Sequence, residues 1–205
     1  MSNDPPQTVL VAKPEADGGF SPPRFRPVAT FVILAITFAF FFLEILAGGS
    51  TSPEVLLQLG AAYAPYIRHG EYWRLVMPMF LHAGWLHIIL NAYALYLLGP
   101  LLERLYGYGR FAWLYVVSGI GASIVSVWRS GSIAVGASGA ILGVMGAMAV
   151  IGYLHRDVVP LLWRRLFGGR MVVLILISLA FGPAVNLAGE VLKRDLPTID
   201  NWAHL

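Results

Sequence analysis

Two side chains that could together cleave an amide bond stand far apart in this sequence. Ser138 lies in the glycine-rich stretch VGASGA (residues 135–140), and His204 is the penultimate residue. A serine hydroxyl becomes a nucleophile when a neutral imidazole takes its proton and later returns that proton to the leaving amine. Gly136 and Gly139 would let the backbone of a substrate come close to the serine. The pair predicts serine-directed hydrolysis.

A second group of polar residues precedes the serine by about fifty positions. His87 and Asn91 are four residues apart, so on a helix they lie on one face. We interpret them as oxyanion donors, together with the backbone N–H of Ser138, because the first amides of a helix have no partner within it and carry partial positive charge. His82 is five residues before His87 and cannot share that face unless it precedes the regular helix. We interpret His82 as a structural histidine that bonds the interfacial segment defined below.

Each of these residues also has a purely structural interpretation. Gly139-x-x-x-Gly143 is a pattern that lets two membrane helices approach closely, with Ser138 as one more small residue. The histidines and the asparagine could simply bridge helices, although ionisable residues inside membranes are usually functional. Asp200, one turn before His204, invites a triad interpretation. A capping or solvated role at the membrane surface suits Asp200 better.

The composition indicates a membrane protein. Of the 205 residues, 58% are hydrophobic and 12% are charged, whereas about 25% are charged in a typical soluble domain. The 14 Lys and Arg exceed the 11 Asp and Glu only slightly and lie between apolar runs, so we expect no nucleic-acid partner. The chain has no cysteine and therefore no thiolate metal site. We expect neither a metal nor a cofactor.

The elements that must position the polar residues are apolar runs, at least one of which has the roughly 20 residues needed to cross a bilayer. Residues 1–27 form a predicted mobile cytoplasmic tail, and residues 28–205 form the predicted membrane domain. The predicted runs cover residues 28–48, 79–102, 111–128, 138–153 and 171–192, and a sixth begins near 201. Between the first two runs, residues 49–78 are too polar to span and rich in Tyr and Trp, which predicts an interfacial segment.

The positive charges predict the orientation of the chain. With the N-terminus inside, nine of the 14 Lys and Arg fall on the cytoplasmic side. A helix from Ser138 to about His155 would be roughly 27 Å long, shorter than the bilayer with its interfaces. Ser138 would then lie below the outer surface, at the floor of a polar cavity, because irregular backbone at that depth must be covered by protein or line water.

On these residues the chain resembles rhomboid intramembrane serine proteases. The matching features are the interfacial EYWR (residues 71–74), His82-x4-His87-x3-Asn91, Gly136-x-Ser138-Gly139, and Ala203-His204, in family order. The resemblance implies an all-α, six-helix transmembrane bundle with a Ser138–His204 dyad and no acid member. It further implies that Trp73 and Arg74 belong to a structural loop, and that single-pass membrane proteins are cleaved within the lipid bilayer of, we expect, a bacterial plasma membrane.

The sequence also departs from the family pattern in two places. Some rhomboids carry an aromatic residue one turn after the serine, where this chain has Leu142. The chain ends one residue after His204, so we expect a fragment whose sixth helix is cut off and whose activity is weak or absent.

Two alternatives remain beside the protease. The first is a non-catalytic rhomboid-like protein that binds membrane helices for quality control, although such relatives lose the serine or the histidine. The second is a small transporter, which would show paired broken helices, whereas the sequence shows one break, before Ser138. A zinc protease is excluded because Ile-Ile-Leu-Asn follows His87, in place of H-E-x-x-H.

Overall fold

The computed structural model describes residues 26–129, 131–155, 157, 159, 163, 164 and 166–179. The regular secondary structure of this part of the chain is helical apart from an isolated bridge between Ala62 and Ala134. Its α-helices are α1 (Val28–Leu46), α2 (Pro53–Leu59), α3 (Ala64–Arg68), α4 (Trp85–Tyr106), α5 (Tyr108–Arg129), α6 (Ser138–Leu154) and α7 (Gly169–Leu179). The expected all-α fold is confirmed. Residues 1–25 of the predicted tail, residues 180–192 of the fifth predicted run and the whole sixth run lie outside the described residues.

Within the described residues, α1, α4 and α5 are long and apolar enough to cross a membrane. Large apolar side chains remain exposed along one face of α4, at Leu86, Ile89, Leu90 and Leu97, as expected for contact with lipid rather than water. By contrast α6 is central, with Ala140, Val144 and Met148 almost fully buried. Its 17 residues correspond to about 25 Å of helix.

The predicted second run differs from the observed helix at its start. The run was predicted from residue 79, but Met77–Phe80 form a 3-10 turn and α4 begins only at Trp85. Gly84, directly before the helix, has φ +93°, a conformation that other residues rarely adopt. Consequently His82 lies in a loop and not on the helix that carries His87.

A buried carboxylate joins α1 to α4. Glu103 of α4 is fully buried and accepts hydrogen bonds from the backbone N–H groups of Ala29 and Thr30, at 2.8 and 2.9 Å, and from the Thr30 hydroxyl. These amides belong to the first turn of α1, which has no side-chain cap from its own N-cap residue. Glu103 therefore caps α1 from a neighbouring helix, where an anion is favoured by the helix dipole.

Small residues bring α5 and α6 together. A Cβ added to Gly143 would overlap the side chain of Ser118 on α5. On the same interface, a Cβ on Gly119 would lie 2.6 Å from the terminal methyl of Met79 and 3.4 Å from the Cβ of Ala140. The packing interpretation of the glycine motif is thus confirmed at Gly143, because helices can approach this closely only where side chains are absent.

The interfacial segment (residues 49–78) folds into α2, α3 and a 3-10 turn at Tyr72–Leu75. Arg74 holds it together: its Nε donates to Glu71 at 2.7 Å, and its Nη1 donates to the carbonyl of Leu57 at 2.6 Å. The guanidinium also stacks 4.6 Å from the ring centroids of Tyr66 and of Trp73. A planar cation with a fork of donors satisfies all of these partners at once.

This segment in turn supports the loop that leads to α6. Ala62 and Ala134 exchange backbone hydrogen bonds of 3.0 and 2.9 Å, and the N–H of Gly136 donates to the carbonyl of Pro78 at 2.8 Å. The irregular backbone before Ser138 is therefore paired with protein, as backbone at membrane depth requires.

Candidate active site

Ser138 is the first residue of α6, as predicted. The first helical hydrogen bond runs from the N–H of Ile141 to the carbonyl of Ala137, so the amides of residues 138–140 precede the helical ladder. No side chain of the N-cap residue covers this end. Ser138 is half-buried, whereas Gly139 and Ala140 are buried. A negatively charged oxygen beside Ser138 would meet backbone donors and the positive end of the helix dipole.

The imidazole of His87 lies against the same loop. Gly136 has φ +126°, and a Cβ built there would lie 2.7 Å from Nε2 of His87 and 3.7 Å from Oγ of Ser138. The tip of the ring and the serine hydroxyl thus approach one point, at the place where a side chain is missing. The structure brings together three of the residues singled out in the sequence: His87 on α4, Gly136 in the loop before α6, and Ser138 at the start of α6.

His82 precedes α4, which is the condition under which it could approach His87. The two ring centroids are 5.1 Å apart in an edge-on arrangement. We expected the His82 ring to bond the interfacial segment, but its Nε2 accepts a hydrogen bond from the N–H of Ala137 at 3.4 Å. Burial, with a smaller contribution from nearby His87, lowers the pKa of His82 to about 3. The ring is therefore neutral, as an accepting nitrogen requires.

Asn91 lies one turn after His87 on α4 and is buried. Its Nδ2 donates to the backbone carbonyl of His87 at 2.9 Å. An amide nitrogen carries two hydrogens, so this bond leaves one donor for another acceptor. The contact ties the asparagine side chain to the turn of the helix that presents His87.

The other predicted site residues lie further from Ser138 or outside the described part. His204 and Asp200 are outside the described residues. Trp73 belongs to the interfacial segment, where its ring fills the space that a side chain at Gly60 would occupy. Together with the contacts of Arg74, this is a scaffolding position.

Two carboxylates near this framework were not assigned a role from the sequence. Glu44 of α1 is fully buried and accepts a hydrogen bond from the backbone N–H of His82 at 2.9 Å. Glu103, described above, caps α1. The sequence signal that could have identified both is a single glutamate within an apolar run. Burying such a carboxylate in a membrane helix costs free energy, so it is kept only where it has a partner.

Comparison with known proteins assigns the family. A family model described as the Rhomboid domain matches residues 69–205, which is well over half of the chain. The chain belongs to the rhomboid family. Rhomboid protease GluP of Bacillus subtilis is 37% identical over 180 residues, covering 88% of this chain and 32% of GluP.

Further rhomboid relatives come from plants and bacteria. The mitochondrial RHOMBOID-like protein 6 of Arabidopsis thaliana is 37% identical over 156 residues, covering 75% of this chain and 46% of that protein. Putative rhomboid protease YdcA of Bacillus subtilis is 35% identical over 127 residues, covering 60% of this chain and 61% of YdcA. This rhomboid chain therefore spans less than two thirds of the length of these relatives. Its apolar helices and its family make it an integral membrane protein.

Proposed function

We propose that this rhomboid protein is a serine endopeptidase that cleaves transmembrane segments of single-pass membrane proteins, with Ser138 as nucleophile and His204 as general base. The observation that carries the proposal is that the Ser138 hydroxyl and the His87 imidazole both lie next to the position that a side chain at Gly136 would occupy. Two relatives named as rhomboid proteases support it.

The proposed reaction needs only side chains and backbone of this chain. His204 takes the proton of the Ser138 hydroxyl as Oγ bonds the carbonyl carbon of the scissile peptide. The resulting oxyanion accepts hydrogen bonds from the Ser138 amide, His87 and Asn91. His204 then gives its proton to the leaving amine as the C–N bond breaks. A water deprotonated by His204 hydrolyses the ester, which releases the carboxylate product and restores the serine.

Gly136 supports this assignment because its missing side chain leaves room beside the serine. Ser138 is partly exposed, whereas its chain neighbours Ala137 and Gly139 are buried. The amides of residues 138–140 precede the first helical hydrogen bond of α6, so an oxyanion beside Ser138 would lie at the positive end of the helix dipole. Donors held in place before the reaction contribute most to stabilising a transition state, since they cost no reorganisation.

Covalent labelling by a fluorophosphonate probe tests the proposal in the full-length protein. We expect labelling of the parent protein, none of Ser138→Ala, and strongly slowed labelling of His204→Ala. Ser132→Ala, a serine in the same loop, is the matched control and should label at the parental rate. Labelling that persists in Ser138→Ala, or a folded parent that is not labelled, would favour the alternative of a non-catalytic protein that binds membrane helices.

We also propose that the N-terminus is cytoplasmic and that the membrane is a bacterial plasma membrane. Nine of the 14 Lys and Arg then lie inside. Since the chain has no cysteine, single cysteines can be introduced at Gly107 and at Gly131. A membrane-impermeant thiol reagent added to intact cells should modify the cysteine at 131 and not that at 107; the reverse pattern would contradict the orientation.

A further inference from the structure

A buried carboxylate of α1 is connected to the start of α6 without touching Ser138. Glu44 lies two residues before the end of α1 and has no exposed surface. One of its carboxyl oxygens accepts the N–H of His82, 38 positions later in the chain. The other, Oε2, is buried without a hydrogen-bond partner in the described part of the chain. Among the described residues, the carboxyl group therefore makes one hydrogen bond, to the backbone of His82.

His82 connects Glu44 to the residue that precedes the nucleophile. Its backbone is held by Glu44, and its ring accepts the N–H of Ala137, the N-cap residue of α6. Ala137 is almost fully buried, and its carbonyl accepts the first helical hydrogen bond of α6. The peptide plane that follows Ala137 carries the N–H of Ser138. A shift of His82 therefore moves the amide expected to stabilise the oxyanion.

The His82 ring also packs edge-on against His87. One loop residue consequently contacts both sides of the site: the backbone before Ser138 and the imidazole beside it. Glu44 is the side chain that fixes the backbone of this loop from outside the site.

We infer that Glu44 is a positioning residue, which sets the geometry of Ser138 and its amide through the hydrogen bonds Glu44–His82–Ala137. The inference rests on the proposed protease function for its kinetic consequence, but the hydrogen-bond chain itself is independent of activity. A hydrogen-bond acceptor is what the position requires, and a negative charge is not, because no cation or second donor meets Oε2 among the described residues. Burying an unpaired charge costs free energy that a neutral acceptor avoids.

The variants follow from that distinction. Glu44→Gln keeps an oxygen that can accept the N–H of His82. Glu44→Leu and Glu44→Ala both remove that oxygen, and alanine also leaves a smaller side chain. Glu103→Leu is the matched control, because Glu103 is an equally buried carboxylate at the other end of α1 that accepts amide hydrogens without contacting the site. Loss of the Glu103 carboxylate should lower thermal stability without changing the labelling rate.

The first measurement is the rate constant of fluorophosphonate labelling, taken well below the melting temperature of every variant. A misplacement of about 1 Å can cost about 100-fold in rate, so we expect a loss of about 10-fold or more for Glu44→Leu and Glu44→Ala. Glu44→Gln should stay within about threefold of the parent, as should Glu103→Leu despite its lower melting temperature. Loss in Glu103→Leu equal to that in Glu44→Leu, or no rescue by glutamine, would overturn the inference.

The second measurement is hydrogen exchange at the amide of Ala137, which needs no catalysis. Exchange there should be at least about 10-fold faster in Glu44→Leu and Glu44→Ala, and unchanged in Glu44→Gln and Glu103→Leu. If the parent protein is not labelled by the probe, the protease proposal fails while this measurement still decides the role of Glu44. Unchanged protection at Ala137 in both Glu44→Leu and Glu44→Ala would refute the link.

Discussion

Adding one methyl group at Gly136 should disable the site, and the structure gives the magnitude. The residue has φ +126°, and a backbone held in a region that only glycine favours costs a residue with a side chain about 1–3 kcal/mol. The new Cβ would lie 2.7 Å from Nε2 of His87, whereas ordinary contact begins at 3.4 Å. The ring or the loop must therefore move by about 0.7 Å. With about 100-fold lost for a misplacement of about 1 Å, we expect labelling of Ser138 to slow by about 10-fold to 100-fold.

Gly131→Ala is the matched control for this experiment. Gly131 lies in the same loop, and a Cβ there would meet nothing within 4 Å. The assay compares the fluorophosphonate labelling rates of Gly136→Ala, Gly131→Ala and the parent protein, with melting temperatures measured in parallel. Gly131→Ala should label like the parent.

A double-mutant cycle separates the two causes of the effect. Replacing His87 by alanine removes the atoms that the new methyl group would meet, so Gly136→Ala should cost less in a His87→Ala background than in the parent. The part that remains measures the strain of the backbone. If Gly136→Ala labelled as fast as Gly131→Ala, His87 would not lie where the structure places it, and the reasoning on the site would be wrong.

Two further substitutions test the framework around the site. Gly143→Ala should lower the free energy of unfolding by about 1–3 kcal/mol, and with it the melting temperature, because the new Cβ overlaps Ser118. Adding Ser118→Gly should recover most of that stability, and no recovery would contradict the packing. Arg74→Lys should cost about 1–3 kcal/mol, since an ammonium group cannot bond Glu71 and Leu57 and also stack on two rings; equal stability in thermal denaturation would count against this role.

Much of the fold could be predicted from local sequence. The apolar runs predicted α1, α5 and α6 to within a few residues, because a segment in lipid must satisfy its own backbone hydrogen bonds and does so as a helix. The start of α6 at Ser138 followed from the glycine-rich stretch before it. The start of α4 was misplaced, since an apolar run does not distinguish the 3-10 turn at Met77–Phe80 from the helix that follows.

The candidate site could be predicted only in part from the sequence. The types and spacing of Ser138, His87 and Asn91 indicated the chemistry, and their family order indicated the fold. Spacing also showed that His82 must leave the helix in order to approach His87. It did not show which group the His82 ring would bond, because hydrogen-bond partners depend on how the loops meet.

Tertiary packing alone decided the contacts that hold the site together. Glu44 meets a residue 38 positions away, His82 meets one 55 positions away, and Glu103 meets Thr30 across 73 positions. Nothing in the local sequence links such pairs, since each contact exists only when separate helices are brought to the same depth and rotation. Composition and periodicity determine that these segments cross the membrane as helices, whereas the close approach allowed by Gly143 and Gly136 determines which polar groups meet between them.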